Sequence, residues 1–141
     1  MPRRKTDLRR FYEDVARRAR YRCEYCHAPE SMFPHRLSLD HIVPESRGGA
    51  ASLANLALCC YGCQLRKLAF ESGIDPATAT VVLLFHPRRQ RWSRHFRWAA
   101  NGIHLEGLTR TGRATIERLA LNHPRQIEAR SRWKVHPDLF P

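Results

Sequence analysis

Two Cys-x-x-Cys pairs, Cys23 with Cys26 and Cys60 with Cys63, stand 33 residues apart and constrain this chain more than any other feature. Two intervening residues make a turn tight enough to aim both sulfurs of a pair at one ion. Four thiolates are the usual complement of a closed structural zinc site. Two distant segments must therefore meet. Four ligands leave no open position for a substrate, so this metal is expected to hold the fold rather than do chemistry. Cys59 is the spare: only its neighbour Cys60 has the two-residue spacing to Cys63, and Cys59 reads as a core thiol. His27 and His35 could each replace a cysteine, but nothing in the spacing requires it. Five cysteines in this arrangement fit a reducing compartment better than a disulfide framework.

Around the pairs the sequence reads as α+β in a single domain over 1–141. Thr6 or Asp7 can cap a first helix running to about Arg20, with Leu8, Phe11, Tyr12, Val15 and Ala19 on one face. Residues 22–27 read as a knuckle around "CEYC", and 28–36 as loop. "RLSLDHIV" reads as a strand ended by Pro44 and the Gly48-Gly49 turn. "LANLAL" is ambiguous by period, and "CYGCQLRKLAF" reads as a short helix. Further on, "TATVVLLF" is expected as a strand. "HFRWAANGIHLEGLT" is expected as a hairpin with Asn101-Gly102 as its two-residue turn. "TGRATIERLALN" is helical, and Pro124 can open a last helix through Trp133, docked on the hairpin by Ile127 and Trp133.

Charge narrows the partners. The net charge is +12, and its distribution matters more than its size. Residues 1–22 carry 9 basic and 3 acidic side chains, residues 86–141 carry 12 and 4, and the centre at 23–85 is slightly acidic with 4 and 6. Basic flanks around an acidic centre suit a polyanion gripped on either side of a site that holds cations, with nucleic acid ahead of an acidic membrane surface. The longest apolar run, Val81–Phe85, is far too short to span a membrane, and no apolar segment follows the basic N-terminus as in a secretory signal. A cytoplasmic location is the resulting expectation.

Between the cysteine pairs, "LDHIVPESRGG" sets Asp40 beside His41 at the end of an apolar run. Hydrolysis of a phosphodiester needs an activated water, a counter-charge for the pentacovalent transition state, and help for the departing oxygen. An imidazole, with an ordinary pKa of about 6.5, is a suitable base near neutral pH, and a hard divalent ion held by oxygens supplies the counter-charge. His41 is the candidate base and Asp40 the candidate ligand of that ion. Neighbours on a strand point to opposite sides, so the strand must end or twist here if both are to face one site.

These residues, with Asn55 fourteen positions after His41 and Lys67 four after Cys63, resemble the HNH endonucleases, the ββα-metal (treble-clef) nuclease family. The resemblance covers residues 21–70, leaving 1–20 as a basic N-terminal helix and 74–141 as a basic C-terminal extension. It implies a zinc-stapled nuclease core that cleaves DNA with Mg²⁺ or Mn²⁺, leaving a 3′-hydroxyl and a 5′-phosphate. It further implies that Asn55 braces the loop carrying His41, and that Gln64, where the family more often has Asn or His, is the second ligand of the divalent ion. Gln offers the same amide oxygen on a longer stem. A non-catalytic zinc-bound DNA- or RNA-binding module is the alternative, with Gln64 its best argument. A scaffold that docks an acidic protein is the third reading.

Contacts to nucleic acid are expected from Arg47 beside the glycines, from Arg66 and Lys67 beyond the last cysteine, and from Arg88, Arg89 and Arg91 in "HPRRQRWSRHFRW". Trp92, Phe96 and Trp98 of that stretch are expected in the core. Target sequence, nick or double-strand break, and monomer or homodimer are left open by the sequence.

Overall fold

The computed structural model describes residues 7–140, so Thr6, one of the two expected helix caps, lies outside it. Asp7 accepts a hydrogen bond from the Arg9 amide at 3.0 Å. A 3-10 turn over Arg9–Phe11 leads into helix α1, Tyr12–Arg18, which stops short of Arg20 because Arg20 and Tyr21 both take positive φ, 55° and 57°. α1 buries Val15 and Ala16, leaves Arg17 in water, and lays the Arg18 guanidinium on the Leu53 and Leu56 carbonyls. That is the amphipathic pattern its spacing predicts.

Strand β1, Ser38–His41, pairs antiparallel with β2, Leu56–Cys59, in the register Asp40 with Ala57 and His41 with Leu56. The ambiguous "LANLAL" resolves into a 3-10 turn over Leu53–Asn55 followed by β2. All four β2 residues are buried, which explains why "LALC" shows no alternation. Helix α2, Tyr61–Lys67, begins at the second cysteine pair, and the Cys60 sulfur caps it by accepting from the Cys63 amide.

The C-terminal half adds β3, Ser72–Asp75, paired with β4, Thr80–Leu83, then a one-turn helix α3, Trp92–His95. β5, Phe96–Trp98, pairs with β6, Leu105–Gly107, and is followed by α4, Arg110–Leu119, and α5, Pro124–Val135. Asn101-Gly102 is not a two-residue turn. Ala99 still donates to the His104 carbonyl, and the loop between them is closed by the Asn101 side chain accepting from the Ile103 and His104 amides. An Asx side chain that satisfies the next backbone N–H groups competes with the tight turn, and here it wins.

One apolar cluster runs from α1 through both knuckles and β2 to Phe85, Phe96, Leu119 and Trp133. Trp92 donates to the Tyr25 carbonyl at 3.0 Å and stacks on His27 with ring centres 4.0 Å apart. Trp98 meets Trp133 of α5 edge to face at 6.2 Å. Arg130, on the same helix, is buried with its guanidinium donating to the Ile103 and Leu121 carbonyls at 2.7 Å each. These aromatics therefore clasp the first knuckle. No described helix is long and apolar enough to cross a membrane.

Candidate active site and metal centre

The two knuckles meet as their spacing requires. The sulfurs of Cys23, Cys26, Cys60 and Cys63 all lie within 4.8 Å of one another, and all four residues are buried. The Cys26 and Cys60 sulfurs are 3.7 Å apart. That matches the edge of a tetrahedron with metal–sulfur arms of about 2.3 Å, roughly 3.8 Å. The donor set and its geometry are those of a structural zinc site. Cys59 is also buried but stands outside this four-sulfur group, and its thiol donates to the Cys60 carbonyl at 3.4 Å. His27 is stacked on Trp92 and His35 is exposed beside Phe33, so neither belongs to the cluster. Glu24, inside the first knuckle, ties the two segments together. Its amide donates to the Leu58 carbonyl, and its carboxylate accepts from the Leu58 amide at 2.8 Å.

β1 carries the Asp-His pair to the edge of this staple. The strand ends at His41, and alternation holds up to that point. Asp40 turns inward and is 5% exposed, while His41 stays partly open. Asp40, His41 and Gln64 nevertheless line one cleft of about 350 Å³, together with Leu39, Pro44 and Glu45. Gln64 reaches it because it lies one turn before Lys67 on the face of α2 that meets β1. Of the two His41 ring nitrogens, Nε2 is buried and has no hydrogen-bond partner among the described residues.

The turn after His41 is held from behind by Asn55. Its Oδ1 accepts from the Val43 amide at 2.9 Å, and its Nδ2 donates to the Val43 and Ala50 carbonyls at 3.0 and 2.9 Å. The glycine pair makes room for this clamp. Gly48 takes φ 87°, and a Cβ on Gly49 would stand 1.7 Å from the Val43 carbonyl oxygen. Such an approach is open only to a residue without a side chain.

Two expected phosphate contacts are corrected. Lys67 does not project toward solvent: it is 1% exposed. Its ammonium lies 3.1 Å from Asp40 Oδ2, 3.4 Å from Asp40 Oδ1, 3.3 Å from the His41 carbonyl and 3.2 Å from that of Ile42. Three N–H donors meet three acceptor groups, which makes the burial of a charge tolerable. Arg88 is half-buried in an ion pair with Glu24, and burial together with nearby Arg18 pulls its pKa down to about 10. Arg89 and Arg91 are exposed, Arg66 is partly exposed, and Arg47 is exposed with a loose ion pair to Glu71 at 3.6 Å. A roomier cleft of about 620 Å³ lies elsewhere, bordered by Arg20, Phe33 and Arg36, and includes none of the residues that line the Asp40–His41 cleft.

Tyr25 carries no signal in the sequence beyond its place inside a knuckle, yet it donates to Asp40 Oδ2 at 2.8 Å. Both Asp40 oxygens thus have donors before any ion arrives. Burial pushes the Asp40 carboxyl above its ordinary pKa, with Lys67 and Tyr25 pulling back against that rise. A divalent ion coordinated by Asp40 would stand close to an ammonium that already balances the carboxylate. At an effective dielectric near 20, two unit charges about 4 Å apart interact by about 4 kcal/mol, and an ion of charge two doubles that opposition. The expected divalent-ion role of Asp40 with Gln64 does not fit this arrangement.

Residues 23–69 match the family model described as HNH endonuclease, about a third of the chain. The match takes in both knuckles, the cleft residues and the Asn55 clamp. No curated protein and no solved structure matches the chain.

Proposed function

We propose that the HNH segment hydrolyses phosphodiester bonds in DNA, with His41 as the general base. The observation that carries this reading is the Asn55 clamp. A buried amide spends three hydrogen bonds on fixing the turn that follows His41, beside a cleft open enough for a phosphate. Such pre-organisation is what proton transfer to a positioned group needs. A water in the cleft attacks phosphorus and gives its proton to His41. The new P–O bond forms as the bond to the 3′ oxygen breaks, and that oxygen leaves as a hydroxyl with a proton from solvent. Because Nε2 is buried, the proton passes to Nδ1. The Gln64 amide, on the wall of the cleft, donates to a non-bridging oxygen, and Arg47, Arg66, Arg89 and Arg91 hold the strand by charge. No step runs through a divalent ion, since Asp40 already has its cation.

The second reading, a zinc-held module that binds nucleic acid without cutting it, is favoured by the same Asp40–Lys67 pair and by the shielded Nε2. End analysis separates the two. A 5′-labelled duplex incubated with zinc-loaded protein, with and without Mg²⁺, should yield fragments bearing a 3′-hydroxyl and a 5′-phosphate. Salt-sensitive binding with intact strands under every condition supports the binding module instead.

A further inference from the structure

The Asp40–Lys67–Tyr25 triad is unlike an ion-pair decoration of the surface. It joins three elements, β1, α2 and the first knuckle, and it is all but closed to water. The lysine spends every N–H within reach on one turn of chain: the Asp40 carboxylate and the carbonyls of His41 and Ile42. A carboxylate and two carbonyls around a small positive charge are the oxygen set that a hard cation would otherwise take.

We propose that the Lys67 ammonium is the resident cation of Asp40, filling the place where an HNH site would hold a divalent ion, so that this chain does not load Mg²⁺ or Mn²⁺ on Asp40. The proposal holds whether the cleft cuts a strand or only binds it, because it concerns which charge faces the carboxylate and not what His41 does. Displacing the Lys67 ammonium would take a nearly fully buried charge away from one carboxylate and two carbonyls, and that cost opposes exchange of the lysine for an ion. Lys67 is thereby a positioning residue: it anchors the backbone on either side of His41 to the last turn of α2.

The test uses the zinc-loaded full chain and Mn²⁺ as the probe. In the wild type, Mn²⁺ should leave the amide resonances of Asp40 and Gln64 unbroadened, a readout that requires no variant. Saturable broadening at these two positions would overturn the proposal. In parallel, the electron paramagnetic resonance signal of free Mn²⁺ is titrated with wild type, Lys67→Met and Lys67→Met/Asp40→Asn. Methionine keeps the length of the stem and removes the charge. Lys67→Met should bind one Mn²⁺ at least about ten-fold more tightly than the wild type, within the range by which neighbouring groups tune metal affinity. The double variant should lose that gain. A folded Lys67→Met chain with wild-type Mn²⁺ affinity would show that the lysine is not what excludes the ion.

Discussion

Asn55 satisfies both backbone groups of Val43, accepting from its N–H at 2.9 Å and donating to its carbonyl at 3.0 Å. A third bond, to the Ala50 carbonyl, closes the loop between them over the glycine pair. Removing the amide orphans three polar groups next to the core. Asn55→Ala is expected to lower stability by about 2–4 kcal/mol, within the range for leaving such groups unpaired. Chemical unfolding of the zinc-loaded protein measures it. A loss below about 0.5 kcal/mol, the level of an ordinary surface substitution, would mean that the turn stands without its clamp.

The four-cysteine centre makes a prediction about the fifth thiol. Cys59 donates to a neighbouring carbonyl and lies outside the tetrahedron, so Cys59→Ala should retain one metal per chain. Cys26→Ser should lose the sulfur set. Substitution with Co²⁺ reads this directly: the thiolate-to-cobalt absorption of a four-sulfur site should persist in the first variant and weaken in the second. The reverse pattern would move Cys59 into the site.

Exposure separates arginines that look alike in the sequence. Arg88 is tied to Glu24, whereas Arg91 faces solvent. Arg91→Ala should reduce the salt dependence of DNA binding by about one unit of slope, as loss of a single phosphate contact does. Arg88→Ala should leave that slope unchanged and lower the thermal midpoint, because it leaves the largely buried Glu24 carboxylate without its cation. Equal slopes for the two variants would contradict the assignment.

Acid should act through Asp75. This buried carboxylate accepts from Arg113 at 2.8 and 3.0 Å and from Thr78 and the Ala77 amide, and the Arg113 bond in particular holds its pKa well below the usual carboxylate range. A carboxyl with a depressed folded pKa stabilises the fold above its unfolded value of about 3.9, and that contribution is lost as pH falls further. The stability gap between wild type and Asp75→Asn should therefore be full at neutral pH and narrow below about pH 4. Unfolding midpoints in urea across that window measure it, and a gap that widens on acidification would refute the sign.

Much of the site is legible in the sequence because it is written in spacing. The cysteine pairs force two segments together, and strand alternation already says that Asp40 and His41 part company. What is not legible depends on the angle between elements. Whether Lys67 meets water or Asp40 is decided by how α2 crosses β1, and no local pattern encodes that. Tyr25 is hidden for the same reason. β3 escapes a periodicity reading because its glycine lies against α4 and Ile74, its one large apolar residue, faces solvent. The same holds for the arginines of 86–98: composition gives their charge, but the fold alone shows that Arg88 is spent on Glu24.

Whether His41 takes the proton from the attacking water is read from supercoiled plasmid incubated with zinc-loaded wild type and with His41→Ala. Wild type should give nicked circles and the variant should lose nicking, with the four-sulfur metal centre and the affinity for DNA unchanged. Nicking that persists undiminished in His41→Ala would contradict it.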